Sequence, residues 1–530
     1  MDKTHSDIRT DILKPRWADI SLILAGFVFF YSLVFELPAT PFFWESDHLI
    51  FAYEGWRMYL GDTMYRDFFQ FTFPGSQLWY AVMFSIFGAK HWIINATIVG
   101  IATILLFLTL RLSKAIIDGP FAYLPPLLFA FFGFRWFGID GSHRMFSPIF
   151  ILLAVMVILR NRNRANLVLS GALCGVTSFF TQQRGFFVVC AIALFVLIEG
   201  IVDKRKPLGI GKDIASVGAA SAVTLVLLCL YFVIAAGPGM FWESAFVYPA
   251  NWYSYSQYNN IEVFSLVLGR AYDFTNLSGA FAFVMHLIYS FGIPLVYPVF
   301  FGAFLFKINR EKWTEWKPVF LIGLVGFATT YSNVAPDSFR IFQVSIPALI
   351  LTGFLLSRVR VARRFDLRLT AAAAAFLLLL SLYLGYRMQT NWDMTYWDTP
   401  SGRIAVFPLE QIERYTYVLE NTEPGDEFFE VYEPYIYFPF GLKNPTRFGQ
   451  IWETEYTRPE HVAEVVGDLE RSRPKLMLWD VGYNKPDDQR APGDHLGPLA
   501  NFVSDNYEPV GKVYQVADRR IQVWRLKDAD

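Results

Sequence analysis

Apolar residues along this chain fall in long blocks, at about 18–37, 92–110, 121–137, 145–159, 166–181, 185–201, 214–236, 281–306, 318–332, 341–357 and 369–387. Many of these reach the length that crosses a hydrocarbon core. The links between them are of two kinds. "RLSK", "RNRNR", "DKRKPLGIGK", "KINREKWTEWK" and "RVRVARRFDLR" are basic, and an excess of Lys and Arg marks cytoplasmic loops. "FGIDGSHRMFS", "TQQRG", the stretch 237–280 and "SNVAPDSFR" carry few lysines and are expected outside. The two kinds alternate from Arg111 to Arg368. With the basic N-terminus inside, the segment after Leu37 and everything after Met388 are external. The piece 76–88, "SQLWYAVMFSIFG", is shorter, and about 20 Å of helix does not cross a core of about 30 Å. It reads as an interfacial or half-inserted helix, leaving about 11 spans. If it crosses, parity requires a further hidden span, and the count becomes 12 or 13.

From Gln389 the pattern changes. Short alternating runs ("FFEVYE", "KLMLWDV", "GKVYQV", "IQVWRL") are interleaved with two amphipathic helix candidates, "LEQIERYTYVLENT" and "PEHVAEVVGDLERSR". Strands alternating with helices predict a small α/β domain. The expected organisation is a cytoplasmic tail over 1–17, a polytopic α-helical membrane module over 18–388 with its first external loop at 38–91, and an extracytoplasmic α/β domain over 389–530.

Composition agrees with a membrane protein. Of 530 residues, 54% are hydrophobic, 18% aromatic and only 18% charged, against about a quarter charged in soluble domains. A net charge of −1 excludes nucleic acid as a partner, which would require a basic face. The charged N-terminal segment precedes a span without a small-residue cleavage site, so 18–37 reads as a retained signal-anchor. Cys174, Cys190 and Cys229 lie in apolar runs and support neither a disulfide framework nor a thiolate metal site.

The candidate chemistry lies in "WESDHLIFAYEGWRMYLGDTMYRDFFQFTFPG", Trp44 to Gly75. It is too polar to cross a bilayer and too aromatic for an ordinary loop. Ser46 or Asp47 is a natural N-cap for a helix whose Leu49, Ile50, Tyr53 and Trp56 share an apolar face. Such a helix would lie flat at the interface, with Arg57 snorkelling beside it. Asp47 is equally suited to act as a base on a substrate at the lipid boundary.

An acid pair after the first span, a helix ending in "LGD", then "YRDFFQFTFPG" before "MFSIFG" resembles the first external loop of GT-C glycosyltransferases, in particular the protein O-mannosyltransferase and aminoarabinose-transferase group. "GALCGVTSFFTQQRG", "SNVAPDSFRIFQVSIPALIL" and "LKNPTRFGQIW" resemble later segments of that group, in the same order. The resemblance implies transfer of a sugar from a polyprenyl-phosphate donor to a lipid, glycan or protein acceptor, with inversion, on the outer face of a bacterial-type cytoplasmic (inner) membrane. It maps the family's catalytic aspartate onto Asp47. The family often has adjacent Asp-Glu, whereas Glu45 and Asp47 here bracket a serine; Glu45 is the alternative base.

A lipid phosphate gains charge as it leaves, so cations are expected near it, and arginine matches phosphate through its fork of donors. The external candidates are Arg57, Arg66, Arg144, Arg184, Arg270 and Arg340. Arg184 aligns with the family's basic turn residue and is preceded by Gln183, and Arg340 follows Asp337 by three residues. Each has the alternative of snorkelling to headgroups. Some family members hold a divalent metal. The corresponding first-loop position here offers Asp67 and Gln70, and "FWESAFVYPANWYSYSQY" lacks a histidine, which puts a metal in doubt. Tyr248 and Asn251 of that loop are candidates for stacking on a sugar or lining a prenyl path, against the alternative of an interfacial aromatic belt. Other classes compatible with the chain are a transporter or flippase for lipid-linked sugars, which should show repeated halves that are not seen here, and a surface-glycan polymerase or ligase.

Overall fold

The computed structural model describes residues 17–253, 272, 274–275, 277–307, 313–333, 337–358, scattered positions between 375 and 390, and 392–454, 456–516 and 518–527. The expected span at 369–387 falls largely outside these residues, as does Arg270. The chain divides into two compact units. One comprises residues up to Val34, Thr97–Cys229 and Ile261–Gln389; the other comprises Phe35–Ala96, Leu230–Asn260 and Thr390–Asp530.

The first unit is helical. Six helices in the described residues are long and apolar enough to cross a membrane: Trp17–Val34, Trp92–Ile116, His143–Arg160, Gln182–Val202, Pro207–Ala236 and Gly279–Lys307. Shorter apolar helices cover Pro120–Phe134, Arg164–Phe180 and Ile346–Arg358, and a further helix runs from Trp313 to Tyr331. The small residues of "SGALCG" let two helices approach closely. A Cβ on Gly171 would lie 2.3 Å from the Val217 carbonyl oxygen, and one on Gly175 would lie 2.5 Å from that of Ser221. Between apolar helices in lipid such contacts supply much of the attraction. Buried ion pairs add to it: Lys114 holds Asp19 at 2.7 Å, with the Tyr123 hydroxyl on the same carboxylate, and Glu199 meets Arg162 at 2.7 Å and also Lys317.

The second unit is built on strands. A two-stranded ribbon pairs β1 (Phe35–Glu36) with β2 (Thr40–Pro41), and a hairpin pairs β3 (Thr395–Thr399) with β4 (Gly402–Val406). The four-stranded sheet contains β5 (Phe428–Glu430), β6 (Leu476–Asp480), β7 (Tyr507–Val516) and β8 (Arg519–Leu526), in the order β5-β6-β8-β7. Only β5 and β6 run parallel, and the helix Pro459–Ser472 lies between them in sequence. Period two divides the strand side chains. Phe429, Met477, Trp479 and Trp524 join Val462, Val465, Leu469, Leu499 and Val503 from the helices. Phe428, Leu476, Leu478 and Val523 belong instead to a core containing Phe43, Leu49, Phe51, Tyr53, Tyr80 and Phe84 of the first loop.

The helix Asp47–Leu60 is thus a core element, with every residue from His48 to Gly55 buried. The apolar face expected to rest on the interface is covered by protein, and so are the sides next to it. The helix Gly75–Phe87 lies against it, and the Tyr53 and Trp56 rings sit 5.0 and 6.0 Å from Tyr437 and Phe438. Gly55 marks the closest approach, where a Cβ would meet the Tyr80 Cβ at 2.6 Å and the Gln77 carbonyl oxygen at 2.8 Å. Gly55→Ala should therefore lower stability by about 1–3 kcal/mol, although the same change in an open helix would raise it. Thermal unfolding in detergent measures this, and a midpoint at or above wild type would show that the two helices can part at no cost.

Candidate active site

Asp47 is the first residue of its helix, and Ser46 takes the cap position without a side-chain cap bond. A carboxylate in the first helical turn is favoured by the partial positive charge there. Asp47 is half-buried, and its charge is felt by Glu433 and Tyr435 of the C-terminal segment. Burial, together with the charges of Asp47 and Glu430, pushes the Glu433 carboxyl well above the usual range, opposed by an amide donor from Gln450. Glu45, the alternative base, has both oxygens occupied. Arg414 donates to one at 2.6 Å and Gln411 to the other at 3.0 Å.

Two turns along the helix from Asp47, and therefore on the same face, lies Glu54. Its oxygens accept from Gln70 at 2.7 Å and from Gln77 at 2.8 Å. Burial raises this carboxyl to about 8 despite those two donors, so near neutral pH it holds its proton. Among the described residues the buried Gln77 Oε1 has no donor. Ile50, Glu54, Phe69, Tyr248, Gln450 and His461 line a cavity of about 30 Å³, room for about two waters. Tyr248 is buried, donates its hydroxyl to the Tyr456 carbonyl and stands edge-on to Phe69 at 4.8 Å. It is a wall of this cavity and not part of an interfacial belt. Asn251 is exposed.

The other first-loop candidates are tied to one another. Arg57, expected to snorkel, instead pairs with Asp62 at 2.6 Å, donates to the Asp67 carbonyl at 3.0 Å and sits over the Phe68 ring. Arg66 bonds both oxygens of Asp67, at 2.9 and 2.8 Å, and the Thr63 N–H donates to the same carboxylate. Gln70 Oε1 accepts from the Phe71 and Thr72 amides. These residues do not fit a divalent cation, because Asp67 is neutralised by Arg66 and Gln70 is spent on Glu54 and its own loop. Among the described residues no group of three His, Cys, Asp or Glu side chains is arranged to hold a metal.

In the helical unit Arg184 opens the helix Gln182–Val202 and is 2% exposed. It donates to the Arg144 carbonyl at 2.7 Å, the Ser147 hydroxyl at 3.1 Å, Asn333 Oδ1 at 3.3 Å and Gln343 Oε1 at 3.2 Å. All four are uncharged oxygens. The charges of Arg144, Arg340 and Asp140 lie within its electrostatic reach, so three of the expected arginines converge. Gln183 beside it is half-buried. Asp337 caps the short helix Ser338–Phe342 by accepting the Arg340 N–H at 2.8 Å, and its other oxygen lies 3.9 Å from the Arg340 guanidinium. Asp140, buried and holding Ser142, was not singled out from the sequence. Neither were Glu54, Arg414 or Glu433. For Glu54 the signal was present: an acid seven residues after Asp47 inside an apolar helix. The others carry no local signal.

No family model matches the sequence, and no curated protein matches it significantly. Solved structures do. The ArnT of Cupriavidus metallidurans bound to undecaprenyl phosphate is 12% identical, with a TM-score of 0.57, covering 97% of this chain and 98% of that one. Its apo state gives 12%, a TM-score of 0.57, and coverage of 95% and 97%. The apo oligosaccharyltransferase of Archaeoglobus fulgidus gives 12%, 0.50, and coverage of 92% and 72%. Such identities speak for the fold alone, and the fold is the GT-C fold that the first-loop motifs resemble.

Glu54 makes stability depend on pH. Unfolded, it releases its proton near 4.5; folded, near 8. Between those values the folded state binds more protons, so the contribution is full below about 4.5 and is lost as pH rises through about 8. Glu54→Gln cannot ionise. Its denaturant stability should fall between pH 5 and pH 8 by at least about 1 kcal/mol less than that of wild type; equal losses in both proteins would rule out a protonated Glu54.

Proposed function

We propose that this chain is a glycosyltransferase of the cytoplasmic (inner) membrane that moves a sugar from a polyprenyl-phosphate donor to an acceptor hydroxyl on the outer side. The observation that carries this reading is the convergence of Arg144, Arg184 and Arg340, with Arg184 buried on neutral oxygens. Like charges gathered around a buried guanidinium favour the approach of an anion, and a guanidinium fork matches phosphate oxygens. A lipid carrier delivers a phosphate to such a place. The fold is shared with a protein crystallised on undecaprenyl phosphate, which supports that choice of donor.

In this reading Asp47 is the general base. The acceptor hydroxyl gives its proton to an Asp47 oxygen as its lone pair attacks the anomeric carbon. The bond from that carbon to the phosphate oxygen breaks, and its electrons stay on the phosphate, which leaves on the prenyl chain. Attack opposite the leaving group inverts the anomeric centre. The arginines stabilise the charge that develops on the departing phosphate, an interaction stronger in the transition state than before it. Glu45 is less suited to the same role, since Arg414 and Gln411 occupy its oxygens. Eleven crossings with the C-terminal segment outside complete the reading.

Purified protein given a panel of undecaprenyl-phosphate-linked sugars should release undecaprenyl phosphate. Asp47→Asn should lower the rate by about 10²–10⁴-fold and Arg184→Gln by about 10²–10³-fold, with both variants inserted normally. Wild-type turnover by Asp47→Asn would remove the mechanism. For orientation, Asp393→Cys places a thiol at an exposed position after the last apolar block. In a background free of the three native cysteines it should react with an impermeant maleimide on intact cells, and reaction only after lysis would invert the topology.

A further inference from the structure

Glu45 and Asp47 stand two residues apart where the chain enters the helix Asp47–Leu60. Two carboxylates on one turn disfavour each other's ionisation. The structure answers with a cation from the far end of the sequence. Arg414, on the helix Glu413–Glu420, is 3% exposed and places Nη2 2.6 Å from Glu45 Oε1. Its guanidinium lies 4.0 Å from the Tyr415 ring centre and donates to the Tyr415 hydroxyl at 2.8 Å and to the Gln411 carbonyl. The Tyr415 hydroxyl in turn donates to Glu430 at 3.1 Å. Stacking, two neutral acceptors and one carboxylate hold the guanidinium in a single place.

We propose that Arg414 is a positioning residue for Asp47: its guanidinium cancels the charge of Glu45 and fixes the turn that presents the base. The inference rests on Asp47 being the base and adds the group that holds the turn carrying it. The titratable groups near Asp47 are Glu45 and the buried His48 on its own segment and Glu433 and Tyr435 of the C-terminal segment, with Glu430 acting in turn on Glu433. Burial raises Glu430 to about 8 and Glu433 well above its ordinary range, so these two hold their protons and Glu45 is the acid whose charge must be balanced. Arg519, the other cation felt by Glu433, is engaged by Asp480 at 3.3 Å and by the Tyr483 hydroxyl at 2.7 Å. It therefore has a carboxylate of its own to balance.

The signs of the effects are opposite, which makes the test specific. Arg414→Met leaves Glu45 uncompensated, so Asp47 should protonate at higher pH. Glu45→Gln leaves Arg414 uncompensated, so Asp47 should protonate at lower pH. The double variant should return close to wild type. Each single shift should be roughly one pH unit or more. Protonation of Asp47 can be followed in the full-length protein in detergent as the infrared carboxyl band that vanishes in Asp47→Asn, without any donor present. The acidic limb of the pH–rate profile with undecaprenyl-phosphate-linked sugars should move in the same directions. A common protonation pH in all four proteins overturns the proposal, as does a shift of the same sign in both single variants. If Arg414→Met does not fold, Arg414→Gln takes its place, with the same upward shift expected and its absence overturning the proposal. Because the infrared readout needs no turnover, its failure is separable from that of the catalytic reading, which falls instead if Asp47→Asn remains active.

Discussion

The arrangement in the strand-containing unit depends on one apolar core shared between two distant parts of the sequence. Phe43, Leu49, Phe51 and Tyr53 of the first loop are buried together with Tyr437, Phe438, Leu478 and Val523 of the C-terminal segment. Aromatic pairs such as Tyr53–Tyr437 add about 0.5–1.5 kcal/mol each beyond the area they bury, and the backbone joins as well, with the Phe43 N–H donating to the Ala405 carbonyl at 2.9 Å. A loop of some sixty residues between helices would ordinarily be mobile. This one is held to a sheet, and the position of Asp47 is set by packing that begins at Gly55 and ends at residues nearly four hundred positions later.

Such a core imposes a cost on polar groups inside it, and the unit meets that cost in two ways. Where the hydrogen-bond donors are neutral amides, the carboxyls keep their protons: Glu54 sits between two amides, and Glu433 accepts from Gln450. Where a negative charge remains, an arginine is brought to it, Arg414 to Glu45 and Arg519 to Asp480. Neutral carboxyls and paired charges around Asp47 are a low-dielectric setting in which electrostatic interactions act more strongly than in water.

The helical unit treats charge differently. Asp19 and Glu199 are matched by lysine and arginine, as expected for charged groups buried among apolar helices. Around Arg184 the hydrogen-bonding partners are neutral and the neighbouring charges are mostly of its own sign. That imbalance sets the surroundings of Arg184 apart from the ion pairs that hold helices together.

The sequence by itself determined the membrane class, the apolar helices and the alternating strands, and it put forward Asp47, Arg184 and Arg340 as candidates. These rest on local periodicity, on the energetics of burying twenty apolar residues, and on motifs contiguous in the chain. It also contained Glu54, visible as an acid on the helix face of Asp47. Only the tertiary structure decided that the first-loop helix is wrapped in a core, because its apolar face meets Tyr437 and Phe438 and another side meets the helix Gly75–Phe87, and no local pattern encodes the nearness of Tyr437 and Phe438. It alone decided that Arg57 and Arg66 bond within their own loop, that Tyr248 is a buried wall, that Arg414 pairs with Glu45 and that Glu433 lies within reach of Asp47. Pairing energies depend on distance in space, and for these residues that distance is unrelated to their separation along the chain.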